Sequence, residues 1–296
     1  MDKGMDTATL GRTGLDVTRL GYGAMAVRDV PEDVADTVLN AVLDAGINFI
    51  DTSIDYGRSE EFIGTFISGR RSEFFLASKC GCAVVSDPGQ GPHIFTRENM
   101  VAGVDQSLTR MKTDHLDFVQ FHVSPSEETL RQEDAIGTLR DLQTEGKIRF
   151  LGSSSTLPNI VDHLAMDVFD EFQIPYSALQ RDHEEIIAQS AAGIGTVIRG
   201  GVAQGEPGAG RGAEDTWRKF EGANLDDLRE ECESRSTFVL RFTLAHPGIH
   251  TIITGTKDLA HLEENVAAAR KGALPPQTYA EAKRRLDAIG ESPADL

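Results

Sequence analysis

One short stretch decides the fold of this chain. Residues 48–56 read Asn-Phe-Ile-Asp-Thr-Ser-Ile-Asp-Tyr, an apolar run with β-strand character that ends at Asp51. Tyr56 lies on the loop that follows, and Gly57 opens a turn. A carboxylate at a strand end with a phenol beyond it suits proton transfer, although a free phenol has a pKa of about 10. The stretch therefore predicts a cation nearby, because a positive charge would favour the phenolate.

The rest of the chain repeats one unit, an amphipathic helix followed by a short apolar strand. Helices are expected at residues 34–45, 58–68, 96–111, 126–145, 157–166, 182–192, 234–246 and 258–269, and strands at 19–23, 48–53, 74–79, 116–122, 148–153, 171–176, 195–198 and 250–254. Such alternation predicts parallel strands with right-handed crossovers. Eight units of this kind close into a (β/α)₈ TIM barrel, an α/β fold.

Additions to the barrel are predicted at both ends. Residues 9–17 have the glycine turns of an N-terminal β-hairpin, and residues 1–7 are expected to form a mobile tail. Pro275-Pro276 ends the last barrel helix, so residues 277–289 are expected to form an added C-terminal helix. The glycine-rich residues 200–212 are expected to be a mobile loop. The whole chain, residues 1–296, is predicted to be a single domain.

An open, doubly wound sheet is the alternative fold. Residues 21–26 read Gly-Tyr-Gly-Ala-Met-Ala and fit the G-x-G-x-x-A dinucleotide fingerprint after a strand. That fingerprint requires a helix to begin at once. Residues 28–31, Arg-Asp-Val-Pro, intervene instead, and the sequence therefore favours the barrel.

Composition and charge exclude several classes of function. The formal net charge of −18 argues against non-specific binding to nucleic acid. No run approaches the ~18 apolar residues of a membrane span, and the N-terminus has no apolar signal region, so a cytoplasmic protein is expected. Cys80-Gly81-Cys82 is too isolated a pair for a zinc site. With Cys232, these cysteines are expected to be free thiols in a reducing compartment, and no metal site is predicted.

The ends of three neighbouring strands carry the candidate catalytic groups. Functional side chains of such barrels lie at the C-terminal ends of strands. Those ends hold Asp51, Lys79 and His122. Lys79 is expected to lower the pKa of the Tyr56 phenol, and Asp51 is expected to keep Lys79 charged. His122 would then donate a hydrogen bond that orients a substrate oxygen toward Tyr56.

These residues resemble those of the aldo-keto reductases, over roughly residues 11–269. The matching segments are Asp51-Thr-Ser-x-x-Tyr56, Ala77-Ser-Lys79, Gln120-Phe-His122, Gly152-x-Ser154, Gln173-x-Pro-Tyr176, Gly255-Thr-Lys257 and Glu264-Asn265. The resemblance implies a catalytic tetrad of Asp51, Tyr56, Lys79 and His122, with the tyrosine as general acid and hydride from a nicotinamide in the barrel mouth. It also implies a small-molecule carbonyl substrate and a monomer or weak homo-oligomer.

The segment after the last strand favours a phosphate. Residues 254–257, Thr-Gly-Thr-Lys, lead into a helix whose N-terminus attracts anions, and Lys257 adds a cation. The resemblance assigns this region to the adenosine phosphate, so Lys257 indicates NADPH rather than NADH. The other cofactor contacts that the resemblance implies are Gly23, Met25, Ser154, Gln173, Arg199, Gly200, Gly255, Thr256, His261, Glu264 and Asn265.

Two positions depart from the family's pattern. Ser155 stands where asparagine is usual, so one carboxamide contact is expected to be lost or carried by water. Arg199 stands where an aromatic residue commonly stacks on the nicotinamide, and arginine can stack or bind pyrophosphate. The substrate pocket is expected to be formed by residues 81–95, by the loop around residues 205–222 and by the neighbours of His122.

Two other functions stay open at the level of sequence. A Schiff-base enzyme of the aldolase type would use Lys79 as its nucleophile, although a partner such as Asp51 would keep that amine protonated. A non-catalytic barrel that senses the cofactor is the other, because some relatives within the family regulate partner proteins.

Overall fold

The computed structural model describes residues 4–84, 92–191 and 193–294. Within them, eight parallel strands close into a barrel in which the last strand pairs with the first. These strands are β3 (Leu20–Gly23), β4 (Phe49–Asp51), β5 (Phe75–Cys80), β6 (Leu116–Phe121), β7 (Ile148–Ser154), β8 (Glu171–Pro175), β9 (Gly195–Arg199) and β10 (Thr251–Thr254). The prediction of a (β/α)₈ barrel is confirmed, and the doubly wound alternative is wrong.

The predicted N-terminal hairpin closes one end of the barrel. Its strands, β1 (Thr7–Thr9) and β2 (Asp16–Thr18), pair antiparallel. Leu10 and Val17 are buried in one cluster with Phe49 and Phe118, which lie inside the barrel. Of the predicted mobile tail, residues 1–3 lie outside the described residues, and Thr7 already belongs to β1. Because the hairpin fills the N-terminal end, the C-terminal ends of the strands are left to form the open mouth.

Helices cover the outside of the barrel. They are α1 (Glu32–Asp44), α2 (Ser59–Phe62), α3 (Arg97–Met111), α4 (Glu127–Gln132), α5 (Ala135–Thr144), α6 (Asn159–Met166), α7 (Glu184–Ser190), α8 (Glu214–Gly222), α9 (Arg235–Leu244), α10 (Leu259–Lys271) and α11 (Pro276–Ala288). The apolar face predicted for α1 is buried in the main hydrophobic core through Val38 and Val42. The added C-terminal helix is confirmed as α11.

Three sequence predictions about helices differ from the structure in detail. Residues 126–145 form two helices, because Asp134 takes a left-handed conformation (φ 46°) between α4 and α5. Residues 58–68 form α2 and then a π-helical turn, where a Cβ on Gly64 would lie 2.0 Å from the carbonyl oxygen of Arg110. Helix α8 lies within residues that were assigned to a substrate loop. Helix α8 buries only two side chains, Trp217 and Phe220, and two apolar residues are too few to reveal a helical period in the sequence.

No helix among the described residues is long and apolar enough to cross a membrane. The predicted loop at 200–212 has internal backbone hydrogen bonds, for example from Arg211 N to Gln204 O at 2.9 Å. Its mobility stays a prediction.

Candidate active site

The barrel mouth brings the four predicted catalytic residues together. Asp51 ends β4, Lys79 lies near the end of β5, and His122 directly follows β6. Tyr56 lies on the loop after β4. The ammonium of Lys79 is 5.1 Å from the centroid of the Tyr56 ring. The rings of Tyr56 and His122 meet edge to face with their centroids 6.0 Å apart.

Lys79 and Asp51 form a buried ion pair. The lysine Nζ donates to both carboxylate oxygens of Asp51, at 2.8 and 2.7 Å, and to the carbonyl oxygen of Thr52 at 2.9 Å. The exposed fractions of the two side chains are 0% and 4%. Burial alone would lower the pKa of Lys79, but Asp51 and Tyr56 raise it above its ordinary value. A lysine held in the charged form is a poor nucleophile, which counts against the Schiff-base reading.

The phenol of Tyr56 keeps its proton more firmly than the sequence predicted. Burial is the largest influence and raises the pKa of Tyr56, while Lys79 lowers it. Asp51 and Asp55 raise the pKa further, so the net direction is upward. Lys79 therefore acts on the pKa in the predicted direction, but burial outweighs the ammonium and the net pKa of Tyr56 is raised. A buried, protonated phenol is in the state that a general acid needs before it reacts.

His122 is a neutral imidazole in this mouth. Burial and the charge of Lys79 lower its pKa well below the usual range, although Asp55 opposes the change. Its Nδ1 lies 3.1 Å from Cys82 Sγ, 3.2 Å from His93 Nε2 and 3.5 Å from Asp55 Oδ2. Sequence reasoning missed Cys82, His93 and Asp55 as neighbours of His122. Asp55, which directly precedes Tyr56, gave the clearest available signal.

Gln173 and Ser154 connect to the same group. Gln173 Nε2 donates to Asp51 Oδ1 at 2.8 Å, and Ser154 Oγ donates to Gln173 Oε1 at 3.2 Å. Ser154 and Gln173, two of the predicted cofactor contacts, therefore belong to one hydrogen-bond network with the ion pair. Ser155 points elsewhere, since its hydroxyl lies 2.6 Å from that of Ser124.

A second carboxyl group, from Glu171, lies in the barrel interior and was not predicted. Burial and the nearby charge of Asp51 raise the pKa of Glu171 well above its usual value. No described residue forms a hydrogen bond with its carboxyl oxygens. A Cβ on Gly152 would lie 2.2 Å from Glu171 Oε2, which explains why glycine occupies that position of β7. Burial in the barrel interior thus favours the protonated form of the Glu171 carboxyl group.

Arg199 and Gly200 lie at the end of β9, on the other side of the mouth. The Arg199 side chain is half-buried, and burial lowers its pKa while Tyr56 and Asp51 raise it. Gly200 has a positive φ of 72°, which lets the chain turn directly after the strand. Gly23 ends β3, and Met25 in the next turn is 38% exposed.

The predicted phosphate region surrounds the start of α10. Lys257 and His261 are exposed, and Thr256 is anchored because Tyr22 Oη donates to its carbonyl oxygen at 2.6 Å. Asp258 already caps the helix, with Oδ1 accepting from the amide of Ala260 at 2.8 Å. The helix N-terminus therefore has one free backbone amide fewer for binding an anion than the sequence predicted. Gly255 precedes this turn and is exposed.

Glu264 and Asn265 are half-buried further along α10. Glu264 Oε1 accepts hydrogen bonds from Ser234 and from Thr237 Oγ1, the latter at 3.2 Å. One carboxylate oxygen of Glu264, a predicted cofactor contact, is therefore already used to join α10 to the start of α9.

The residues of the mouth fit a nicotinamide dinucleotide. The hydroxyl of Ser154 and the amide of Gln173 can face a carboxamide, and the half-buried Arg199 guanidinium suits a ring or a pyrophosphate. Lys257 supplies an exposed cation directly after the last strand, in the segment predicted to bind the adenosine phosphate.

The mouth of the closed parallel barrel thus combines a phenol, an imidazole and a buried lysine–carboxylate pair. The model of the Aldo/keto reductase family matches residues 19–286. The chain therefore belongs to the aldo/keto reductase family and is an NAD(P)H-dependent oxidoreductase.

Relatives of similar length agree with this assignment. The chain is 28% identical to the uncharacterized oxidoreductase YqkF of Bacillus subtilis, over 90% of this chain and 91% of that protein. It is 25% identical to the L-galactose dehydrogenase of Arabidopsis thaliana, over 89% and 88%. The holo form of an aldo-keto reductase from Bacillus halodurans superimposes with a TM-score of 0.84 at 26% identity, covering 95% of this chain and 96% of that chain.

Proposed function

We propose that this protein reduces an aldehyde or ketone to the alcohol with NADPH, and that Tyr56 donates the proton. The observation that carries the proposal is the buried Lys79–Asp51 pair beside a protonated Tyr56. Family membership supports a small carbonyl substrate. The meeting of the four residues at one mouth supports these catalytic roles.

Each residue has one part in the proposed reaction. The carbonyl oxygen accepts hydrogen bonds from Tyr56 Oη and from the neutral His122. When bound, the nicotinamide supplies a hydride to the carbonyl carbon. As the oxygen gains negative charge, Tyr56 transfers its proton to it and becomes a phenolate. Lys79 stabilises that phenolate, and Asp51 together with Gln173 holds Lys79 in place until solvent returns the proton.

Turnover of NADPH with a reactive aldehyde tests this proposal. Purified protein is expected to oxidise NADPH with a nitrobenzaldehyde and to form one alcohol for each NADPH consumed. Loss of NADPH absorbance and chromatography of the product measure the two quantities. Tight NADPH binding without turnover on a broad panel of carbonyl compounds would contradict the proposal and favour a cofactor-sensing barrel.

The preference for NADPH is expected to depend on Lys257. An ammonium that makes charge-assisted hydrogen bonds to the 2′-phosphate contributes about 1–3 kcal/mol. Lys257→Ala should therefore weaken NADPH binding by about 10- to 100-fold and leave NADH binding nearly unchanged. Fluorescence titration with each cofactor measures the difference, which should shrink as salt is added.

Two variants separate a local role of Lys257 from an effect of total charge. Lys257→Arg keeps the cation and should retain most of the preference. Lys112 provides a control for total charge. It is an exposed lysine at the end of α3, whereas the proposed phosphate site follows β10. Lys112→Gln should leave both affinities unchanged. If Lys257→Ala weakens both cofactors equally, the assignment of NADPH is withdrawn.

A further inference from the structure

Four side chains at the barrel mouth form a cluster that the proposed reduction does not require as a unit. They are Asp55, Cys82, His93 and His122, and one ligand atom from each lies within 4.8 Å of all the others. Cys82 is buried and the other three are partly buried. Thiolate, imidazole and carboxylate are the ligand types that zinc prefers.

We propose that this cluster binds one Zn²⁺ ion, or a metal of similar ligand preference. A tetrahedral zinc ion with ordinary bond lengths separates an imidazole nitrogen from its neighbouring ligand atoms by about 3.3–3.6 Å. From Nδ1 of His122, the distances are 3.1 Å to Cys82 Sγ, 3.2 Å to His93 Nε2 and 3.5 Å to Asp55 Oδ2. Relative to His122, shifts of a few tenths of an ångström reach this geometry, and the widest separation within the cluster, at most 4.8 Å, would close by about an ångström. Magnesium and calcium, which prefer oxygen ligands, fit this set poorly.

The backbone already holds two of the ligands in place. Cys82 and His93 face each other in an antiparallel bridge that closes the loop after β5. Asn99, near the start of α3, clamps this bridge. Its Nδ2 donates to the carbonyl oxygens of Cys82 and Ile94 at 3.0 and 2.8 Å, and its Oδ1 accepts from Val84 N at 3.1 Å. Residues 85–91 lie outside the described residues, and the site does not need them.

The remaining two ligands come from neighbouring strand ends. His122 is fixed by its backbone, where its amide donates to the carbonyl oxygen of Cys80 at 3.1 Å. Asp55 Oδ1 accepts from Ser53 Oγ, which leaves Oδ2 facing the cluster. On binding zinc, Cys82 releases its proton to solvent and becomes a thiolate.

A bound metal would also fix the tautomer of the His122 imidazole. With Nδ1 coordinated, the remaining proton of the neutral ring must lie on Nε2. The site would therefore set the tautomer of a residue that faces Tyr56. This consequence rests on the proposed function, whereas metal binding itself does not.

Cobalt titration of the full-length protein, without substrate or cofactor, tests the site. Co²⁺ replaces Zn²⁺ in tetrahedral sites and gives visible d–d bands, and a cysteine ligand adds a thiolate-to-cobalt charge-transfer band. The wild-type protein is expected to bind one equivalent with both signatures, and excess Zn²⁺ should displace them. Absence of both bands at millimolar Co²⁺ would overturn the proposal.

Ligand variants and matched controls locate the binding. Cys82→Ser should abolish the charge-transfer band, and His93→Gln should weaken Co²⁺ binding by at least about 100-fold, since even groups behind a ligand contribute 10–100-fold. Cys232 is an exposed thiol and His115 precedes β6 at the closed end of the barrel, so Cys232→Ser and His115→Gln should bind like wild type. Loss of the band in Cys232→Ser, or unchanged binding in His93→Gln, would overturn the site. If Cys82→Ser does not fold, the half-buried His93 keeps the test decisive.

Discussion

Tyr56→Phe is expected to lower kcat for carbonyl reduction by about 10²–10⁴-fold, the usual contribution of a positioned general acid. The change removes only the phenolic oxygen. The ring that lies 5.1 Å from the Lys79 ammonium and packs edge to face against His122 is kept. The Kd for NADPH should therefore stay within about twofold of wild type, a change of less than 0.5 kcal/mol. Steady-state kinetics and a fluorescence titration measure the two effects on the same samples.

A second tyrosine provides the matched control. Tyr279 lies on α11, where its hydroxyl is 3.4 Å from that of Tyr176. Tyr279→Phe removes the same atom away from the mouth and should leave kcat unchanged. The pH profile adds an independent check, because the pKa of Tyr56 is raised. Turnover should hold through neutral pH and fall only above about pH 10, where the proton is lost. Normal turnover by Tyr56→Phe would remove Tyr56 from the mechanism.

The positions of the four mouth residues could be predicted from sequence because strands that are consecutive in the chain are also neighbours in a parallel barrel. Asp51, Lys79 and His122 belong to consecutive strands, and consecutive strands are hydrogen-bonded in register. Once the alternation of helices and strands was recognised, their meeting at one mouth followed from topology alone.

The electrostatics of the mouth could not be predicted in the same way. The sign of the pKa shift at Tyr56 depends on how deeply the ring is buried relative to its distance from Lys79, and residue spacing contains neither quantity. Glu171 reads in sequence as a polar residue at a strand start, although its carboxyl is buried inside the barrel. The approach of His93 to Cys82 depends on how a loop closes, which no periodic pattern encodes.

Two of the differences between predicted and observed helices come from single residues that override the helical pattern. The residues from 126 to 145 have continuous helical periodicity, yet Asp134 in a left-handed conformation divides them. At the start of α10, the sequence predicts amides free to bind phosphate, whereas the Asp258 side chain takes one of them. Both outcomes depend on a single side chain or dihedral angle, so patterns averaged over a helix do not detect them.

Lys79→Met is expected to destabilise the protein by about 3–5 kcal/mol, because it leaves the carboxylate of Asp51 buried without its cation. The pair is inaccessible to solvent, with exposed fractions of 0% and 4%, so water cannot replace the lysine. Gln173 still donates one hydrogen bond to Asp51 Oδ1, which keeps the loss within that range. Chemical denaturation followed by the fluorescence of Trp217, which is buried in the core, measures the free energy of unfolding.

A surface pair of the same chemistry shows whether burial is the cause. Lys147 Nζ lies 2.8 Å from Asp105 Oδ1, but these side chains are 29% and 50% exposed. Lys147→Met should cost no more than about 1 kcal/mol, because solvent screens exposed pairs and can replace the lost partner. Similar losses for the two variants would mean that the Lys79–Asp51 pair is not held in a low-dielectric interior.

Adding Asp51→Asn to Lys79→Met completes the argument. The asparagine removes the charge that Lys79→Met leaves stranded, so the double variant should be more stable than Lys79→Met alone, even though it has lost both charges. A coupling energy above about 1 kcal/mol is expected for groups in direct contact within one network. The double variant should nevertheless remain inactive, because no ammonium is left to stabilise the phenolate. If the double variant regains stability but not turnover, the charges of Lys79 and Asp51 are needed for catalysis and not for folding, because two uncharged side chains would then support the folded state. Full additivity of the two losses would contradict direct coupling between Lys79 and Asp51.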